Sequence, residues 1–187
     1  MEVERLNLAG VLLLHPRRFT DARGYFVETY NKETFAKAGI DVTFVQDNQS
    51  FSAARGTVRA LHFQVPPSAQ AKLVRVLRGS VYDVVVDVRA GSPSYGRWIS
   101  IELHAERGAE LFVPRGFAHG FCTLEGDTEV AYKVDNRYAP EHDSGIVWND
   151  PTLAIPWPVA PDDAVLSDKD RKLGTFKDLV SPFRYGG

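Results

Sequence analysis

The chain has 187 residues, of which 44% are hydrophobic and 25% charged, and its formal net charge is −2. That size suits one domain with a full core, and the composition is that of a globular protein, not a disordered or fibrous one. A charge this close to zero provides no global field for nucleic acid or an anionic membrane, so an anionic ligand has to be held by local Arg and Lys.

No stretch approaches the roughly 20 apolar residues of a membrane helix, and Met1–Gly10 lacks the charged-then-apolar pattern of a targeting segment. A cytoplasmic protein is expected. Cys122 is the single cysteine, which leaves no internal disulfide and no cysteine metal site. A small buried core residue is its plain reading.

In chain order, Asn31–Ala38 predicts a short helix with Lys32, Glu33 and Lys37 outward, Phe35 inward and Gly39 ending it. Strands follow. Arg59, His62 and Gln64 share one; Lys72–Leu77 is closed by Arg78-Gly79-Ser80; Val81–Val88 is closed by Ala90-Gly91-Ser92-Pro93. Trp98–Leu103, Glu110–Val113, Gly120–Leu124 and Glu129–Val134 complete the set, short apolar runs rich in β-branched and aromatic residues. Trp148–Pro161 holds four prolines and reads as an extended wrap. Ser167–Lys172 could open a second helix, with Ser167 as N-cap and Asp170 at the third position. Many short strands without alternating long helices predict an all-β sandwich or barrel with a few short peripheral helices. No repeat or linker interrupts it, so residues 1–187 read as a single domain.

In Val81–Val88, Tyr82, Val84, Val86 and Val88 share one face, and Asp83, Val85 and Asp87 the other. Asp83 is therefore either a solvated or structural carboxylate or part of a polar cavity wall.

Pro114-Arg-Gly-Phe-Ala-His119 has the form PxGxxH. This resembles the second signature of the cupin barrel, a double-stranded β-helix or jelly roll in which that turn aims a histidine inward. The first signature would supply two histidines and a glutamate. Here His62-Phe63-Gln64 gives one histidine and a glutamine, Gln70 stands near the glutamate position, and Gly79 keeps the turn. Two of four ligands are too few for a catalytic metal. The pattern implies a cupin-like barrel with no metal.

Alternation puts His62 with Ala60 and Gln64, Lys72 with Val74 and Val76, and Tyr132 with Val130 and Val134. His62, Lys72 and Tyr132 can thus converge inside one barrel. Arg59 has the opposite parity, and joins them only through a bulge or from the strand end. A histidine, a lysine and a tyrosine in a dry cavity suit proton transfer beside a carbonyl. The histidine removes a carbon-bound proton, the lysine steadies the enolate oxygen, and the tyrosine returns a proton on the other face. Nothing in the sequence has the form of a dinucleotide fingerprint, a phosphate-binding loop or a nucleophile elbow.

Arg59-Ala-Leu-His-Phe-Gln64, Gln70-Ala-Lys-Leu-Val-Arg-Val76, Gly79-Ser-Val-Tyr-Asp-Val84, Ser92-Pro-Ser-Tyr-Gly96, Val113–Phe121, Tyr132-Lys133, Tyr138-Ala-Pro140, Trp148-Asn-Asp-Pro151, Ile155-Pro-Trp157 and Leu166–Asp170 together resemble the dTDP-4-dehydrorhamnose 3,5-epimerases. Phe19–Glu28 and Gln46–Ser50 match as well, so the resemblance covers nearly the whole chain. It implies a cofactor-free homodimer acting on a dTDP-4-keto-6-deoxyhexose at the two carbons flanking the ketone. By this resemblance His62 is the base, oriented by Asp170, Tyr132 is the proton donor, and Lys72 lies by the keto oxygen. Arg23, Glu28, Gln46, Asn48, Arg59, Gln64, His119, Asp143 and Lys169 match substrate contacts, and Tyr138 the ring that stacks on thymine. The chain departs from the family pattern at Ala60 (usually Gly), Phe63 (often Tyr) and Asp143 (often Glu). Two other readings share these residues: a single-carbon epimerase or keto-isomerase of a related nucleotide sugar, and a sugar-nucleotide- or metal-binding cupin without turnover.

Overall fold

A computed structural model describes residues 1–186. Two antiparallel sheets face each other. The first runs β1 (Glu2–Arg5), β2 (Leu12–His15), β11 (Glu110–Val113), β7 (Lys72–Arg78), β13 (Thr128–Val134), β5 (Gln46–Ser52). The second runs β10 (Trp98–His104), β8 (Ser80–Asp87), β12 (Phe117–Thr123), β6 (Val58–Gln64), β14 (Asp143–Gly145). A hairpin of β3 (Arg18–Asp21) and β4 (Gly24–Val27) pairs only with itself, and β9 (Arg89–Ala90) pairs with β15 (Phe183–Arg184). The non-consecutive neighbours within each sheet are the crossovers of a jelly roll.

Alternation divides the core into three layers. Val74, Val76 and Val130 from the six-stranded sheet meet Val81, Val85, Phe117 and Phe121 from the other sheet in the interior. The opposite face of β8, with Val84 and Val86, and Val88 just past its end, joins Leu61, Phe63 and Cys122 beneath Trp148, Leu153 and Ile155. The proline-rich segment is therefore the expected wrap. Asp150 fixes its course by accepting from the backbone N–H of Thr152, Leu153 and Phe176 at 2.8–2.9 Å. Helix α1 (Lys32–Lys37) lays Phe35 onto Leu12, Leu14, Leu73 and Phe112 on the outer face of the six-stranded sheet. Its N-cap is Asn31, whose side chain accepts from Glu33 and Thr34, and Gly39 follows at φ +90°.

The expected Ser167–Lys172 helix shrinks to one 3-10 turn, Asp170–Lys172. Ser167 Oγ does accept from the Asp170 N–H at 3.1 Å, but Leu173 returns to extended backbone and the turn stops.

Along β12 and β6, His119 pairs with His62 and Phe121 pairs with Arg59. Two steps on one strand thus match three on the other. The extra residue in β6 is a bulge, which reverses the parity of Arg59 relative to His62. Gly120 sits against it: a Cβ there would lie 2.5 Å from Ala60 Cβ and 2.7 Å from the Arg59 carbonyl oxygen.

Candidate active site

The two sheets and the 138–143 and 167–170 segments enclose a cavity of about 450 Å³. His62 and Arg59 reach it from β6, His119 from β12, Lys72 from β7, Tyr132 from β13, and Gln46 and Asn48 from β5. Gln64, Tyr138, Asp143, Lys169 and Asp170 of the expected set also lie within it. Ala60, which simple alternation placed beside His62, is instead carried by the bulge into the outer core with Leu61.

Asp170 Oδ1 lies 2.7 Å from His62 Nε2, and the Asp170 side chain is only 6% exposed. An imidazole that donates from Nε2 keeps its lone pair on Nδ1, the nitrogen then free to act as a base. The buried carboxylate fixes the ring and stabilises its protonated form.

Lys72 Nζ donates to the His62 carbonyl oxygen at 3.4 Å. Burial pulls its ammonium from 10.5 down to about 8, and the charge of Asp83 opposes that fall. Burial also raises the Tyr132 phenol above its usual 10, with Arg59 working against it. Tyr132 therefore keeps its proton at neutral pH, and Lys72 remains mainly an ammonium there, though less firmly than a solvated lysine.

Tyr138, Asp143 and Lys169 are joined. The Tyr138 hydroxyl donates to Asp143 Oδ2 at 3.1 Å, Lys169 pairs with the same oxygen, and its Nζ lies 5.9 Å from the Tyr138 ring centroid. The Tyr138 ring is 54% exposed, an open face for stacking. Gln46 Nε2 donates to Asn48 Oδ1 at 2.7 Å, and Gln46 Oε1 accepts from the Tyr138 N–H.

Gln64 lines the cavity, but its amide is occupied with backbone. Nε2 donates to the carbonyls of Ser68 and Arg137, and Oε1 accepts from the Ala139 N–H. Gln70 Nε2 likewise donates to the Asn136 carbonyl. Where metal cupins have ligands, these two amides pin the 136–139 segment that carries Tyr138. Among the described residues, no group of three or more His, Cys, Asp or Glu is placed to hold a metal ion.

Arg23 and Glu28 are not brought to this cavity. Arg23, 90% exposed, forms an ion pair with Asp21 at 2.6 Å at the tip of the β3–β4 hairpin, and Glu28 accepts from Asn31. The hairpin makes no strand pairing that would carry it inward.

Sequence reading missed Ser50, Phe121 and Ser167 as cavity residues. Ser50 shares the parity of Gln46 and Asn48, and Phe121 that of His119, so period-two alternation was the signal available. Asp83 is not itself among the residues lining the cavity, and of its two readings the structural carboxylate is the one the structure favours. It is 1% exposed and both its oxygens lie 2.9–3.0 Å from His119 Nε2.

Residues 5–178 match the family model described as dTDP-4-dehydrorhamnose 3,5-epimerase. An enzyme of that name from Sinorhizobium fredii is 51% identical over 185 residues, covering 99% of this chain and 94% of the relative. The crystal structure of a Bacillus anthracis dTDP-4-dehydrorhamnose 3,5-epimerase with TDP and PPi bound superposes with a TM-score of 0.90 at 51% identity, covering 93% of this chain and 98% of that one. A Legionella pneumophila dTDP-6-deoxy-D-glucose-3,5-epimerase in complex with dTDP-4-keto-L-rhamnose gives a TM-score of 0.94 at 36% identity, covering 100% and 99%. With most of its length matched by the family model and half its residues shared with a relative of nearly equal extent, the chain belongs to the dTDP-4-dehydrorhamnose 3,5-epimerase family.

Proposed function

We propose that the protein inverts carbons 3 and 5 of a dTDP-4-keto-6-deoxyglucose, giving the 4-keto-rhamnose form used in dTDP-L-rhamnose biosynthesis. The observation that carries this reading is the placement of base and acid: His62 belongs to the five-stranded sheet, Tyr132 to the six-stranded sheet, and both line one cavity. A sugar ring held between the sheets has a proton acceptor on one side and a proton donor on the other.

His62 takes the proton from the carbon beside the ketone, and the electron pair moves onto the keto oxygen. Lys72 meets that developing charge, a role worth roughly 10²–10³-fold for an oxyanion donor. Tyr132 protonates the carbon from the opposite side. Solvent then restores the proton to the tyrosinate and removes it from the imidazolium. The ketone activates both neighbouring carbons alike, so one base and one acid serve two inversions. Arg59 and Lys169 supply cationic contacts for the diphosphate, His119 and Asn48 polar contacts for the sugar, and Tyr138 a face for thymine. TDP and the 4-keto sugar bound by the two relatives are the ligands assigned here to this cavity.

Residues 1–187 are taken as one domain, acting without metal or cofactor in the cytoplasm. The engagement of Gln64 and Gln70 with backbone supports the metal-free reading, and activity that survives chelation would bear it out. A homodimer is also proposed. Phe19, Tyr25 and Phe26 are 53–70% exposed on the same hairpin as Arg23, with Glu28 just beyond its end. A second copy covering these rings could receive Arg23 and Glu28 into its own cavity. Sedimentation of a 1:1 dimer would support this, and a fully active monomer would refute it.

The deciding experiment is turnover of the dTDP-4-keto sugar in heavy water. Deuterium at carbons 3 and 5 of an inverted product is expected. Label and inversion at one carbon alone would make the protein a single-carbon epimerase, and no exchange at either would sink the reading.

A further inference from the structure

Asp83 has no place in the proton transfers above, yet it is a carboxylate buried in the barrel interior. It shares the inward face of β8 with the apolar Val81 and Val85, and its side chain has no solvent exposure. Its one hydrogen-bond partner among the described residues is His119, whose Nε2 approaches both oxygens. A fully buried carboxylate with a single ring N–H is an expensive arrangement unless positive charge lies close by. His119 and Lys72 are the groups that can provide it, and both line the cavity in front of Asp83.

We infer that Asp83 is a positioning residue for the reaction: from behind the cavity wall it fixes the ring of His119 and supplies the negative charge that keeps the Lys72 ammonium in place beside the substrate's keto oxygen. The inference rests on the proton-transfer reading above for its catalytic meaning, but not for its geometry. Accepting from Nε2–H sets the His119 tautomer and leaves Nδ1 for a substrate contact. The second effect is electrostatic. In this dry site Lys72 tends to lose its proton, and Asp83 is the one group identified as opposing that loss.

The other charged and titratable groups around Lys72 act differently. Arg59 and His62 approach from β6, and His119 from β12; each is neutral or positive and so does not favour a second cation. Tyr132 on β13 keeps its proton. Beyond them Asp143 is paired with Lys169, and Asp170 with His62. Asp83 is paired with His119 in the same way, and it is the carboxylate whose charge acts on Lys72.

The test is a titration of Lys72 by NMR in enzyme with labelled lysine side chains, comparing the unaltered protein with Asp83→Asn. Asparagine keeps the shape and can still accept from His119, but carries no charge. The Lys72 midpoint is expected to drop by about one pH unit, with the alkaline limb of the kcat profile moving down by the same amount while KM changes little. A Lys72 midpoint unchanged in folded Asp83→Asn would overturn the inference. If that variant does not fold, the unaltered enzyme still decides: a protonated Asp83 carboxyl at pH 7, read from its carbon shift, overturns it, and a carboxylate there supports it. Because the titration needs no substrate, its outcome is separate from whether both sugar carbons are inverted.

Discussion

Arg59 and His62, three residues apart in one strand, line the same cavity because β6 carries one residue more than β12 between them. Without that residue, the guanidinium and the imidazole would point to opposite faces of the sheet. The bulge sets a diphosphate contact and the catalytic base side by side on a rigid element. It leaves no room at its partner position, where Gly120 lies against Ala60.

Gly120→Ala should therefore damage both fold and site. The new methyl meets backbone as well as the Ala60 side chain, so no flexible group can yield. A loss of about 1–3 kcal/mol is expected from overpacking, read as a lower denaturation midpoint, together with a raised KM as Arg59 is displaced. Adding Ala60→Gly removes the contact between the two methyl groups and should restore part of both. Wild-type stability in Gly120→Ala would show that the bulge is not held by this contact.

The strands of the barrel core were legible because their two faces differ: in β7, β8, β11 and β13 apolar positions recur with turn residues at each end. β5 was not. Its sequence Gln-Asp-Asn-Gln-Ser-Phe-Ser has no apolar alternation, since its inward face is the polar cavity wall that carries Gln46, Asn48 and Ser50. Where a strand is built for ligand contact, the hydrophobic signal for a strand vanishes. The short β1 to β4, β9, β14 and β15 escaped for want of length. His62 with Lys72 and Tyr132 could be gathered by parity, but Asp170 lies more than 100 residues from His62 and came from family resemblance alone. Parity grouped Asp83 with Val85 and Asp87 but decided neither which face turned inward nor that His119 is its partner, because which strands are neighbours is a property of the topology.

Two buried carboxylates should give stability opposite pH dependences. Glu110 is 1% exposed on the outer face of β11, its Oε2 has no hydrogen-bond partner among the described residues, and burial pushes its carboxyl from 4.5 up to about 8 against Arg75 and Lys133. The folded state then holds this proton more tightly than the unfolded chain, so stability falls as pH rises from about 4.5 to about 8. Glu110→Gln stays neutral and should be the more stable protein above that window, by on the order of a few kcal/mol. Asp87 behaves in the reverse sense. Burial opposes its ionisation, but hydrogen bonds from Arg89, Ser92 and Ser94 prevail and hold it at about 2. That contribution is present above about 3.8 and disappears as pH falls toward 2. Denaturation midpoints of both Glu110→Gln and Asp87→Asn across pH 3–9 test the two signs, and a parallel pH response of each variant to wild type would contradict them.

Arg59 and Lys72 should fail in different kinetic parameters. A diphosphate contact exists before and during chemistry, so Arg59→Ala should chiefly raise KM. The enolate oxygen carries charge only during chemistry, so Lys72→Ala should chiefly lower kcat, by roughly 10²–10³-fold. Steady-state kinetics on the two variants decides, and equal losses in one shared parameter would dissolve the division of roles.

Base and acid on facing sheets make the sharpest prediction, because exchange and inversion then become separable. His62→Ala should abolish deuterium uptake at both sugar carbons, since no enolate forms without a base, and each general acid or base contributes roughly 10²–10⁴-fold. Tyr132→Phe removes one hydroxyl and leaves the ring packed against the interior core. His62 can still take a proton and give it back on its own side, so exchange should persist while inversion falls. Asp170→Asn should lie between: the imidazole remains, but the partner 2.7 Å away no longer stabilises its protonated form. NMR of the sugar nucleotide in heavy water follows label and product in the same sample. Exchange at the parent rate in His62→Ala would reassign the base. Normal inversion in Tyr132→Phe would move the acid to Tyr138, whose hydroxyl is the other phenol on the cavity wall.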